Sequence, residues 1–244
     1  MSHGALHLLL GLAVLLALGA SGCESTQDKS ARLAKESGGL ATQQGVTVTK
    51  ANSDVQVLGT SVVTDENGSA VVVRLRNSSA RAQANVPVAL AVQDAAGKTV
   101  FTNATPGLER SLTHAALVPA RGEAVWVNDQ VFATEPPKTA SAKVGAPEGA
   151  PPPDAAAIRV GRVSLTQDPV SGLAATGSVT NPGSKDQRRV LVTAVATRGG
   201  RVVAAGRGIV ARVRAAKRAR FRVFFIGSPK GADLQVTAAP SPAG

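Results

Sequence analysis

The chain has 244 residues, a formal net charge of +11, and 43% hydrophobic but only 2% aromatic residues. Its single Cys has no intrachain partner, and one Cys with three His cannot furnish a metal centre rich in those ligands, so a disulfide framework and such centres are excluded. The length suits one or two ordinary domains.

Residues 1–22 contain no Lys, Arg, Asp or Glu and carry the apolar stretch Leu8-Leu9-Leu10-Gly11-Leu12-Ala13-Val14-Leu15-Leu16-Ala17-Leu18. As a helix this stretch spans about 16 Å, roughly half a hydrocarbon core, which fits the apolar region of a cleaved signal peptide better than a permanent span. The sequence Leu18-Gly19-Ala20-Ser21-Gly22-Cys23 follows, with small residues leading into the only Cys. It resembles the lipobox of bacterial lipoproteins. The resemblance implies cleavage before Cys23, a covalent diacylglycerol on its thiol, and a protein anchored outside the cytoplasm on the cell membrane, or on the outer membrane of a two-membrane envelope. At about 0.8 kcal/mol per buried methylene, two acyl chains hold a protein stably where one does not.

Residues 23–44 read as the acylated Cys and a polar tether, with a short helix around residues 29–37 ended by Gly38-Gly39. From residue 45 the pattern changes to period two. Val71, Val73 and Leu75 alternate with Val72, Arg74 and Arg76, and Val86, Val88, Leu90 and Val92 alternate with Pro87, Ala89 and Ala91. Alternation of this kind predicts half-buried antiparallel strands, one row in a core and the other in solvent. Asp65-Glu66-Asn67-Gly68, Asp94-Ala95-Ala96-Gly97, Pro119-Ala120-Arg121-Gly122 and Gly199-Gly200 supply the turns. The fold class expected is all-β: two immunoglobulin-like antiparallel β-sandwiches in tandem, over residues 45–145 and 158–240. A Pro/Ala-rich linker at 146–157 separates them and a short tail at 241–244 follows.

The two halves read as diverged copies. Asn77, a polar loop, Val86 to Val92 and then Gly97-Lys98-Thr99-Val100 line up with Asn181, a polar loop, Val190 to Val195 and then Gly200-Arg201-Val202-Val203. Val118, Ala124 and Trp126 likewise parallel Val213, Ala219 and Phe221. Leu90-Ala91-Val92-Gln93-Asp94 followed by Gly97-Lys98-Thr99-Val100 resembles the FxLYD motif of small immunoglobulin-like domains found in bacterial envelope lipoproteins. That resemblance implies an extracytoplasmic interaction module and no particular chemistry.

Catalytic signals are sparse. Beyond the leader His114 is the lone histidine, and no motif places an orienting carboxylate beside it. Asp65-Glu66-Asn67 reads as a hairpin turn, because it lacks the alternate-ligand spacing of a calcium loop. Trp126 reads as a core residue, with Phe221 its counterpart. No catalytic residue, metal ligand or cofactor is assigned, apart from the lipid on Cys23.

Charge is uneven. Residues 155–244 hold fifteen Lys and Arg against Asp168, Asp186 and Asp233. Strand alternation aims Arg212 and Arg214 to one side, with Ile209, Ala211 and Val213 opposite; Arg218, Arg220 and Arg222 similarly oppose Ala219, Phe221 and Val223. If the two strands are neighbours, these five arginines share a face suited to an anionic envelope polymer or to phospholipid head groups. Nucleic acid fits less well, since Phe224 is the lone outward aromatic and single strands want stacking platforms. The leading functional expectation is a non-enzymatic, lipid-anchored envelope protein that acts through its surfaces as an interaction or scaffold module for another envelope component. Direct polyanion binding by the distal domain is the alternative.

Overall fold

Val-rich alternating segments need partners to satisfy their backbone groups, and short turns make antiparallel pairing the nearest solution. A computed structural model describes residues 45–151, 158–169 and 171–241. The expected signal peptide, Cys23, the expected tether and its helix at 29–37, and the second half of the Pro/Ala-rich segment, residues 152–157, lie outside the described residues. Among the described residues the fold is all-β, and no helix is long and apolar enough to cross a membrane.

The first half opens with the hairpin β1 (Val55–Asp65) and β2 (Gly68–Asn77). Its tight turn is closed by Asp65 Oδ1, which accepts the Asn67 N–H at 2.7 Å. Next come β3 (Gln83–Gln93), β4 (Thr99–Thr102), β5 (His114–Val118), β6 (Glu123–Asn128) and β7 (Thr139–Val144). Strands β1, β2 and β6 form one sheet; β3 is the centre of the other, paired with β4, β5 and β7. Strands β4 and β5 behave as one interrupted strand along a single edge of β3. Buried Asn103 bridges the break: its Oδ1 accepts the Leu90 N–H at 2.7 Å and its Nδ2 donates to Val88 O and Leu112 O.

The second half repeats the connectivity. It comprises β8 (Arg159–Val160), β9 (Ser164–Asp168), β10 (Gly172–Asn181), β11 (Gln187–Arg198), β12 (Arg201–Val213), β13 (Lys217–Phe224), β14 (Ile226–Gly227) and β15 (Asp233–Pro240). Strand β10 pairs with β8, β9 and β13, as β2 pairs with β1 and β6; β11 lies between β12 and β15, as β3 lies between β4/β5 and β7. Details recur as well. Asn77 Nδ2 donates to Arg81 O and Val118 O, and Asn181 Nδ2 donates to Lys185 O and Val213 O. Asn85 and Arg189, eight residues beyond those asparagines, both adopt φ of 49°.

Each half has its own core. Val71, Val73 and Leu75 meet Val86, Val88, Leu90, Val92 and Trp126 in the first. Ala175 and Val179 meet Val190, Val192, Ala194, Phe221 and Val223 in the second. Gly177 makes room for the Phe221 ring across the β10–β13 pair, where an added Cβ would lie 2.8 Å from Phe221 Cζ.

A third cluster joins the halves. Val63, Ala70, Val72 and Val127, on the outward face of the β1-β2-β6 sheet, pack with Val195, Ala205 and Ile226 from the β11, β12 and β14 sheet. Val72 was expected in the solvent row and is 2% exposed. Strand β2 runs Ala70-Val71-Val72-Val73 without a polar break, the pattern of a strand covered on both faces. The described strands thus stack as four sheets, with the cores between successive layers. Polar contacts seal the seam: Asp65 Oδ2 accepts the Gly227 N–H at 2.7 Å, and Arg207 Nε donates to Asp129 Oδ1 at 2.6 Å.

Candidate functional site

The outermost layer, β8 and β9 with β10 and β13, has one face on the distal core and the other uncovered among the described residues. Strand alternation sends Ala219, Phe221 and Val223 inward and Arg218, Arg220 and Arg222 outward, and all three arginines are exposed. Across the ladder, Arg218 is opposite Thr180, Arg220 opposite Ser178 and Arg222 opposite Thr176. Residues directly opposite in an antiparallel pair share a face, so a row of hydroxyls runs beside the row of guanidiniums. Strand β9 adds Ser164 opposite Thr176, and Arg162 lies just before it. Together they line a shallow groove of about 1000 Å³.

The charge in this groove is unbalanced. Arg222 Nη1 lies 3.3 Å from Asp168 Oδ2 and its guanidinium sits 6.0 Å from the Phe224 ring centre. Arg218 and Arg220 have no ion pair or side-chain hydrogen bond among the described residues. Several arginines elsewhere are matched, Arg76 by Glu123 at 2.5 Å, Arg189 by Glu109 and Arg110 by Glu148, while others such as Arg81, Arg121 and Arg201 stand singly on the surface.

Arg212 and Arg214 do not join this face. Strand β12 hydrogen-bonds to β11 and β14, whereas β13 hydrogen-bonds to β10. The two strands are close neighbours in successive layers, because Gly206 and Gly208 let the backbone of β13 approach β12. A Cβ on Gly206 would fall 1.9 Å from Phe224 O, and one on Gly208 2.8 Å from Arg222 O. Arg212 is held by Asp186, with Nε donating to Oδ2 at 2.7 Å. The Ala215 N–H and Arg212 hold the Asp186 carboxyl below the usual carboxylate range. Arg214 follows the end of β12, in the turn to β13. The expected inward row Ile209, Ala211, Val213 is also interrupted: Ile209 is 39% exposed, while Val210 packs on the core and Val213 is buried. Arg189, on the paired strand beside this stretch, adopts φ of 49° while the register from Gln187 to Ala196 runs without a shift.

A second concavity of about 790 Å³ lies at the seam, lined mainly by small apolar and hydroxyl side chains such as Ala115, Val125, Leu191 and Thr193. Its charged residues, Arg74 and Glu123, face each other at 3.5 Å. Sequence reasoning had no signal for this groove, since both halves build it.

His114 is buried beside partners the sequence did not reveal. Its Nδ1 is 2.8 Å from Thr113 Oγ1 and its Nε2 3.4 Å from Glu148 Oε2. Burial, then the nearby Arg110 charge, hold the imidazole below its ordinary 6.5. Glu148 is drawn below its ordinary range: partial burial opposes this, and the Arg110 hydrogen bond with the neighbouring positive charges outweighs it. His114 lines neither groove. Glu148 belongs to the segment leaving the first sandwich, and its backbone N–H donates to Asn85 O at 3.0 Å, so the cluster clasps that segment to β3 and β5. Among the described residues no three His, Cys, Asp or Glu side chains converge as a metal site.

No protein-family model and no curated protein matches this chain.

Proposed function

We propose that this protein is a non-catalytic, extracytoplasmic binding protein that holds an anionic polymer against the outer sheet of its distal sandwich, tethered to a bacterial membrane by an acylated Cys23. The observation that carries the reading is the clustering of Arg218 and Arg220, neither matched by a carboxylate among the described residues, with Arg222 on one face of a hydroxyl-lined groove. Packing gives this row no work inside the fold, because its side chains point away from the distal core. Clustered like charges repel one another, and a polyanion reverses that repulsion.

The lipobox resemblance and the likeness of residues 90–100 to the FxLYD motif support the envelope setting. The whole β11-to-β2 seam supports a rigid presenting body, with the binding sheet at one end of the stack.

The test is titration of the full chain with long-chain inorganic polyphosphate. Affinity is expected to fall steeply between about 50 and 200 mM salt, as charge-driven binding does. The triple variant Arg218→Ser, Arg220→Ser, Arg222→Ser is expected to lose most of the binding, and Arg212→Ser with Arg214→Ser to retain it. Salt-independent binding, or equal loss in both variants, refutes the reading.

A further inference from the structure

The groove is periodic, and its period specifies the ligand. Arg218–Thr180, Arg220–Ser178 and Arg222–Thr176 are three copies of one device, a guanidinium directly across the ladder from a hydroxyl. Successive copies are two residues apart along the strands, about 6.8 Å. A head group or a single free anion uses one copy and leaves the others idle. A chain with one anion per repeat engages all three, provided its charges recur at the same interval.

Two residues of polypeptide are six backbone bonds, and an extended chain advances about 3.4 Å for every three bonds. A polymer with one charge per six backbone bonds therefore recurs at about 7 Å, in step with the arginine row. Phosphate–oxygen–three carbons–oxygen–phosphate is such a repeat. Each of its phosphodiesters carries a single negative charge and two non-bridging oxygens, one for the guanidinium and, at Ser178 and Thr180, one for the hydroxyl donor beside it; Thr176 Oγ1 already donates to Ser164 O at 3.3 Å. Glycans with carboxylates space their charges by stiff sugar rings and fall out of step. A nucleic acid backbone shares the six-bond repeat but brings bases, and the one aromatic lining the groove, Phe221, is buried in the distal core, while nearby Phe224 already sits beside Arg222.

The path has ends. Asp168 stands beside Arg222 and repels an anion continuing past it, while Arg159 lies opposite Thr180 at the other end and extends the positive track. We infer that the outer sheet of the distal sandwich binds a linear polyol phosphate, three consecutive phosphodiesters seated on Arg218, Arg220 and Arg222 with the chain running along β10 and β13. The inference rests on the polyanion reading above and adds to it the ligand's chemistry and direction.

The experiment is calorimetric titration of the full chain with four probes at matched charge: glycerol phosphate, an oligo(glycerol phosphate) of about four repeats, oligogalacturonate and oligothymidylate. Linked repeats gain affinity only when they reach the neighbouring sites together. The oligo(glycerol phosphate) is expected to bind at least about tenfold tighter per phosphate than the monomer. Its log affinity should fall against log salt with a slope of about −2, the value for three phosphates on a single strand. Arg220→Ser, at the middle of the row, is expected to reduce the advantage over monomer more than Arg218→Ser does. Equal binding of oligogalacturonate overturns the polyol phosphate assignment and leaves the polyanion function standing. Tighter binding of oligothymidylate makes single-stranded nucleic acid the occupant and overturns it too. Absence of binding to all the polymers removes both readings.

Discussion

Arg207 on β12 donates from Nε to Asp129 Oδ1 at 2.6 Å across the seam between the two sandwiches, with its side chain only 5% exposed. Its backbone N–H donates to the other oxygen of the same carboxylate at 3.1 Å, and its Nη1 donates to Ser111 Oγ. A charge this enclosed is tolerated because its donors are largely spoken for, and removing one partner strands the other. Asp129→Ala is expected to destabilise the protein by about 3 to 5 kcal/mol. Measured by urea denaturation, it should also separate the unfolding of the halves into two transitions.

Gly227 makes a second prediction at the same seam. Its φ is +84°, and an added Cβ would lie 2.2 Å from Val203 O and 2.6 Å from Val63 Cγ1. Its N–H is also the donor that Asp65 Oδ2 accepts. Gly227→Ala combines backbone strain with a steric clash, and is expected to cost about 2 to 4 kcal/mol in thermal unfolding. Gly97→Ala, at a similarly positive φ but with open space around it, is expected to cost about 1 kcal/mol.

The His114 cluster predicts an acid limb in stability. The imidazole is held below 6.5 when folded, so the unfolded chain binds the proton more readily. Stability is then full above pH 6.5 and declines as pH falls through the folded value. Glu148 is also held low, and its contribution is lost at more acid pH, below its ordinary 4.5. Stability against pH for His114→Gln should be flatter on the first limb, and for Glu148→Gln on the second.

Asp168 supplies the remaining prediction. Its carboxylate pairs with Arg222 at one end of the cationic row, and its Oδ1 accepts the Ser171 N–H at 2.9 Å. Asp168→Asn keeps an oxygen for the turn and removes the opposing charge. Polyphosphate affinity is expected to rise about threefold at low salt, the scale of one exposed charge pair. The gain should vanish when Arg222 is also replaced by Ser, which a double-mutant titration would show.

Residue order alone determined the all-β class, the turns at Asp65, Asp94 and Gly199, the burial of Trp126 and Phe221, and the outward aim of Arg218, Arg220 and Arg222. Each is a consequence of local period-two geometry or turn chemistry, which neighbouring residues settle among themselves. Only the tertiary structure decided that Val72 and Val195 are buried, because whether an outward row meets water or another sheet depends on a surface more than a hundred residues away. It also decided how the arginines divide. Arg207 went to the seam, Arg212 to Asp186 and Arg218 and Arg220 to open solvent, since a cation's role is set by which carboxylate folding brings within reach, and spacing along the chain carries no record of that distance.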